Sequence, residues 1–490
     1  MGLFQLPTEL IVYAFGFLSR CDLDSCSNVC TTLHDLISSS ANLQFLRSAE
    51  IAGVEGNPLS PLGAIERLQR LNAREAAYQQ ARPAWVCSVP VPFQSSSIYE
   101  LSGETFWLGE AGRRAVWYLR LPRVESATPV WQRIAVSSPD RHIVDFGLSV
   151  EENDLLVLAT LDTEFTLRLE FVSVLTGNRH PAAKDAIDVT NTQDERCSLI
   201  LEVAGDHIIV IASYPLAHRP DCVWLYNWKT GTVKFDLQAV NHTYSGAVFL
   251  STDVFLLANA HTACFELWQI SEEQPPSEPA LVLHLPRLSL EHRIWELGVR
   301  GEPSPARSRA FQDRAVPFSS VAEEAIIVFR IMFRGPGPSC RLLLFIHRHA
   351  LLALLSSPDV SEMHYPVWGP DICRWINMGA LVPSWITIAS GQRCVLSRQI
   401  RNDFILLDFN ADPERERPLA TVLPPEDTFS EPVRGLWTEP VASRLPCSVQ
   451  FSERLSSGFE GMSLSDSHII AMKRNQATLN IESVDVLFFG

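Results

Sequence analysis

The sequence predicts an α+β multidomain chain: a small N-terminal helical module, then an all-β domain folded as a degenerate seven- or eight-bladed β-propeller. Three observations lead there. The first forty or so residues place apolar side chains at helical spacing. From Trp85 onward the texture changes to short runs of β-branched and aromatic residues separated by Gly, Asn, Asp and Pro. Within that second part, a plan of apolar strand, acidic turn and apolar strand returns every fifty residues or so, roughly the size of a four-stranded blade. At 490 residues the chain also exceeds one ordinary core.

Pro7 suits the first turn of a helix, where its missing N–H forfeits no intrahelical bond. Leu10, Ile11, Ala14, Phe15 and Leu18 follow at helical spacing as one apolar stripe. A second short helix is expected from Asp22, with Leu23 and Cys26 turned inward. A third is expected from about Asn28, burying Val29, Leu33 and Ile37. So small a segment buries too little surface to close a core unaided and should complete it against a partner or the rest of the chain. Ser60-Pro61 then reads as another helix start, carrying Ile65, Leu68 and Leu71 on one side and fading near Gln80. Glu66 and Arg70 are spaced in it as an i,i+4 pair. The expected division is 1–50 for the module, 51–82 for linking helices and 83–490 for the β domain.

Strands are expected at Val116–Leu121, Leu155–Leu161, Leu167–Leu175, Ile208–Ser213, Val223–Trp228, Val254–Ala258, Cys264–Ile270, Ala325–Phe333, Arg341–His347 and Phe404–Phe409. The repeated plan runs through Asp145–Ala159, Leu201–Ala212, Val248–Ala258 and Gly461–Ala471. Two copies are followed by a strand closing on Thr-Gly, at Thr176-Gly177 and Thr230-Gly231, each a tight turn with glycine at positive φ. No Gly-His…Trp-Asp signature marks the blades, and the same strands would also suit two β-sandwiches in tandem. Periodicity weakens over 291–317, an Arg- and Pro-rich stretch that reads as a long loop between blades. Its arginines, Arg300, Arg307, Arg309 and Arg314, would form a basic patch for an acidic or phosphorylated substrate segment.

The run Leu6-Pro7-Thr8-Glu9-Leu10, Phe15-x-Phe17-Leu18, Asp22-Leu23 and Val29-Cys30-x-x-Leu33 resembles the F-box, over about Leu6 to Leu46. Where many F-boxes have an aromatic and a basic residue after Val-Cys, this chain has Leu33-His34. The continuation from Leu43 to Pro58 resembles that of mushroom-type fungal F-box proteins. The resemblance implies a module that binds the Skp adaptor and, through it, the cullin of a ubiquitin ligase. Leu6, Pro7, Leu10, Ile11, Phe15, Leu18, Leu23, Val29 and Leu33 would then divide between the module's core and the partner's groove. An ordinary helical hairpin capping the β domain is the plainer alternative.

Composition narrows the classes. A net charge of −16 argues against a general nucleic-acid binder. No apolar run is long enough to span a bilayer, and the N-terminus lacks a signal-type start, so no membrane partner and a cytoplasmic or nuclear location are expected. The 11 cysteines include no C-x-x-C pair and read as reduced thiols. Cys21, Cys26 and Cys30 fall within the helices and complete no zinc spacing. His347 and His349 would share one face of a strand, but no third ligand is evident, so neither metal nor cofactor is expected. Paired carboxylates such as Glu151-Glu152 and Glu323-Glu324 read as solvated turns. There is no Gly-x-Ser-x-Gly elbow, phosphate-binding glycine loop or His-Glu-x-x-His. The expected function is therefore a non-catalytic adaptor that binds the Skp adaptor through its helices and an unknown protein substrate through its β domain. The alternatives are a propeller scaffold unconnected with ubiquitin and a ligand-binding propeller.

Overall fold

The computed structural model describes residues 3–490 apart from 193–196, 215–218, 272–274, 307–313, 338, 357–359, 378–386, 411, 413–420, 424–434, 456–457, 476–477 and 479. Five helices come first: α1 Thr8–Phe15, α2 Arg20–Ser27, α3 Thr31–Ser39, α4 Ala41–Ala52 and α5 Ala64–Gln79. Pro7 precedes α1 as its cap, its carbonyl accepting from the N–H of Leu10 at 3.0 Å. α2 starts at Arg20 rather than Asp22 because Ser19 caps it, its Oγ accepting from the Asp22 N–H. α4 ends on Gly53 at φ 66, a left-handed position that glycine adopts without strain. Ser60-Pro61 lies just ahead of α5, which begins at Ala64 and carries the expected Glu66–Arg70 pair at 2.9 Å.

The β domain is a ring of seven blades, which settles the blade count and removes the two-sandwich alternative. The inner strands of blades 1 to 7 are Ser95–Ser102, His142–Ser149, Ser198–Ala204, Tyr244–Phe249, Arg293–Arg300, Ala389–Ser390 and Gly461–Leu464. Each blade runs antiparallel outward from its inner strand, and blade 4 gains a parallel edge at Glu362–Met363. Blade 7 takes its outermost strand from the start of the domain: Trp85–Pro90 pairs with Ile481–Phe488 and closes the ring. All ten strand runs expected from the sequence overlap strands. They read as continuous apolar segments because blades pack face to face; Leu155–Leu161 is buried at every residue. The recurrent acidic turns are the inner hairpins of blades 2, 3, 4 and 7, and Gly177 and Gly231 sit at φ 68 and 73.

The stretch 291–317 is not one loop, since Arg293–Arg300 is the inner strand of blade 5. A register shift between Ile294 and Glu296 breaks its alternation, so the buried Ile294, Leu297 and Val299 lose their period of two. Nor is Glu151-Glu152 a solvated turn: Glu152 is buried and accepts from Ser149 Oγ at 2.7 Å.

The helical part docks on the face of the ring where the inner strands end. Val54–Gly56 pairs antiparallel with Phe318–Ser320, part of the connection leaving the inner strand of blade 5. Phe45, Ala49, Ala52, Val54, Leu71 and Phe318 form one cluster across this junction. Buried Asn57 fastens it, its Nδ2 donating to Val316 O at 2.7 Å and its N–H to Pro317 O at 2.9 Å. Farther along, Tyr78 of α5 stacks on Phe489 at 4.5 Å. Beneath Tyr78, Arg393 of blade 6 bridges Glu75 of α5 at 2.6 Å and Asp408 at 3.3 Å.

Candidate functional site

Two surfaces are suited to binding proteins. The first is α1. Its apolar residues form two faces rather than one stripe, since successive positions turn through about 100° in a helix. Ile11 and Phe15 point into the module with Leu23, Leu33, Ile37 and Leu43, Ile11 being 4% exposed and Leu23 1%. Leu18 is half-buried against the same cluster. Leu10 is 53% exposed and Phe17 75%, and Tyr13 stands beside Phe17 edge-on at 5.2 Å between ring centroids. Leu6 and Pro7 are exposed, as are Leu3 and Phe4 in the short turn before them. Val29 is not buried as expected: at 72% exposure it sits in the bend between α2 and α3, which starts only at Thr31.

Of the nine residues singled out by sequence, Ile11, Phe15, Leu23 and Leu33 are therefore core. Leu6, Pro7, Leu10 and Val29 are surface, with Leu18 between. Tyr13 and Phe4 escaped the sequence reading, and Phe17 entered it within the F-box-like run but not among the partner-binding residues. The i,i+4 spacing of Tyr13 and Phe17, offset from Ile11 and Phe15, was the available signal. Together these side chains leave an apolar surface with no covering from the chain's own core, a pattern that marks interaction sites.

The second surface is the mouth of the central channel, on the face where the inner strands begin, opposite the helices. It opens into a cavity of about 740 Å³ lined by Tyr99, Asp145, Ile200, Ser245, Trp295 and Arg330, among others. Trp295 is flanked by guanidiniums, the Arg334 Cζ lying 3.4 Å from its ring centroid and the Arg293 Cζ 5.6 Å. Deeper in, Arg300 pairs with Glu202 at 2.6 Å and with Glu100 at 3.9 Å. Burial pushes the carboxyls of Asp145 and Glu202 up to about 7, Arg300 partly opposing it. Glu100 and Glu302 are also raised by burial.

Arg300 thus belongs to the channel, held by two carboxylates, and not to a surface basic patch. Arg314 is exposed, and Arg307 and Arg309 lie outside the described residues. Among the described residues, the free cysteines are scattered between the helices and the blades, and those in the blades are mostly buried.

Comparison with known proteins adds one family match. Residues 3–43 match the F-box-like model, which spans α1 to α3 and the start of α4. No curated protein matches the chain. Among solved structures the chain is similar to the hydrazine synthase of Kuenenia stuttgartiensis, at 9% identity and a TM-score of 0.43, covering 81% of this chain and 96% of that one. It is also similar to the WD40 domain of SCAP from fission yeast, at 8% identity and a TM-score of 0.37, covering 83% and 98%. Likeness at this level is slight, and the seven-bladed assignment rests on the hydrogen-bonded sheets themselves.

Proposed function

We propose that this chain is a non-catalytic substrate-recognition adaptor of a Skp–cullin–F-box ubiquitin ligase. The observation that carries the reading is the exposed apolar face formed by Leu10 and Tyr13 of α1 with Phe17 of the turn after it, inside an F-box-like segment. An unpaired face of this kind suits a groove on the Skp adaptor, and through it a cullin. The ring would hold the substrate on its far side, where the channel mouth presents Trp295 among charged groups. Catalysis in such an assembly is proximity: holding a substrate lysine near a ubiquitin thioester raises its effective concentration, so the adaptor needs no reactive group. The same reading implies cytoplasm or nucleus. The sequence from Leu43 to Pro58, which resembles the continuation of mushroom-type fungal F-box proteins, supports placing the chain in that group.

The test is a pull-down of the full chain on purified Skp adaptor beside a Leu10→Ala/Phe17→Ala variant. Capture of the parent and loss in the variant, with melting unchanged, is the expected result. Equal capture of both would overturn the assignment of this face. A second reading draws on the channel, where Glu100, Asp145, Arg300 and Arg330 converge as a small polar ligand would require. It predicts substitutions at the mouth that abolish ligand binding while Skp capture is absent altogether.

A further inference from the structure

The sequence offered two histidines without a third ligand; the fold supplies one. His347 ends the second outward strand of blade 5, Cys340–His347, and His349 lies in the short helix Arg348–Leu354 that follows. They are therefore not on one strand face, yet the turn brings their rings to 5.2 Å between centroids, inclined by 22°. Glu324, from the connection preceding the neighbouring strand, reaches the same point. Its Oε2 lies 3.4 Å from His349 Nδ1, and one ligand atom from each of the three residues falls within 4.8 Å of the others. We propose that Glu324, His347 and His349 bind one divalent transition-metal ion, with zinc the best suited to a two-imidazole, one-carboxylate set.

Three features make this more than a chance gathering. The two backbone segments are stitched together: the Arg348 N–H donates to Ala325 O at 2.8 Å and the His349 N–H to Glu323 O at 3.1 Å. The buried Arg348 guanidinium donates to Ala322 O and to Gly301 O, fixing the same connection from below. Next, His347 is buried with Nδ1 3.0 Å from Glu324 O and Nε2 3.2 Å from Phe409 O. A neutral imidazole carries one N–H and can satisfy only one of two carbonyls. With Nε2–H donating to Phe409 O, the outer hydrogen bond that ligating histidines usually make, the Nδ1 lone pair faces the Glu324 backbone carbonyl, an opposition of two acceptors that a cation beside them relieves.

Last, ligand atoms around a tetrahedral zinc stand about 3.4 Å apart, given metal–ligand bonds of about 2.0–2.2 Å. The Glu324–His349 separation already meets that figure, and both side chains are half-exposed and able to close the other two edges. The three line a cleft of about 980 Å³ between the helices and blades 5 and 6, walled also by Glu50, Gln392 and Asp412. Three protein ligands leave a fourth position, open to that cleft, for water or a donor from a partner.

Cobalt(II) titrated into the full chain is the probe. One equivalent should bring up weak d–d bands of a nitrogen- and oxygen-ligated ion, displaced by zinc, with no intense thiolate charge transfer. Glu324→Gln and His349→Ala, both at half-exposed positions and checked for unchanged melting without metal, should each weaken binding at least about 10-fold. Zinc should raise the melting temperature of the parent alone. No saturable band, or bands equal in parent and variants, would overturn the site. Intense thiolate bands would also overturn it, assigning the metal to cysteines instead.

Discussion

Leu10 and Tyr13 on α1, and Phe17 in the turn after it, contribute nothing to the module's own core, whereas Leu23 is wholly inside it. Replacing exposed Leu10 and Phe17 with alanine should change stability by no more than about 0.5 kcal/mol each. The same pair should weaken capture by the Skp adaptor by on the order of 2–4 kcal/mol, read by titration of purified proteins. Leu23→Ala should instead cost about 2–5 kcal/mol of module stability in denaturant melts. In the channel, Asp145 keeps its proton to about pH 7, while in the unfolded chain it releases it near pH 4. Between those values the folded chain binds more protons than the unfolded one, so stability falls as pH rises from about 4 to about 7 and then levels. Asp145→Asn, which can still accept the Phe146 N–H, should flatten that slope and leave the variant more stable than the parent at pH 8. Urea melts across the range would show it; an unchanged slope would remove Asp145 as its source.

At the scale of elements, the sequence was legible wherever burial on both faces made strands uniformly apolar, and where glycine was forced at the turns holding Gly177 and Gly231. It was opaque where local structure departs from its period. The inner strand of blade 5 hid behind its bulge at Ile294–Glu296, and with it the placement of Arg300 in the channel. α1 misled because apolar residues cover most of its circumference, and composition does not say which arc the module keeps for itself. Glu324 could not be paired with the histidines from sequence because the connection depends on how blade 5 folds back, a long-range fact. The clasp Val54–Gly56 was similarly unreadable, being three residues long and paired with residues far along the chain. Asn57→Ala should show its worth: Val316 O and the Leu59 N–H each lose their side-chain partner, a loss of about 1–3 kcal/mol by thermal melt. A melt unchanged by that substitution would mean the clasp is incidental.

For the whole molecule, helices and channel mouth occupy opposite faces of one ring, so the proposed ligase anchor and substrate site are held at a fixed separation. That rigidity draws on the clasp at the blade 5 connection and on contacts at blades 6 and 7, where Tyr78 meets Phe489 and Arg393 meets Glu75. Arg393→Ala removes a partner from Glu75 and Asp408 together and should destabilise the chain by about 3–5 kcal/mol, while leaving the apolar face of α1 intact. Weakened ubiquitination of a bound substrate at unchanged Skp affinity would then report lost geometry rather than lost binding.

The closing strand sets an order of events during synthesis. Trp85–Pro90 leaves the ribosome long before its partner Ile481–Phe488 exists, and waits as an open edge until the last blade is made. Phe489, the seat of Tyr78, emerges later still. The nascent chain thus carries its helices, with their proposed ligase-binding face, well before the ring that seats them is complete. A translation product that stops within blade 7 would present the α1 face on a ring that cannot shut, its helices clasped at blade 5 but lacking the Phe489 seat, so the proposed ligase anchor would lose part of its aim.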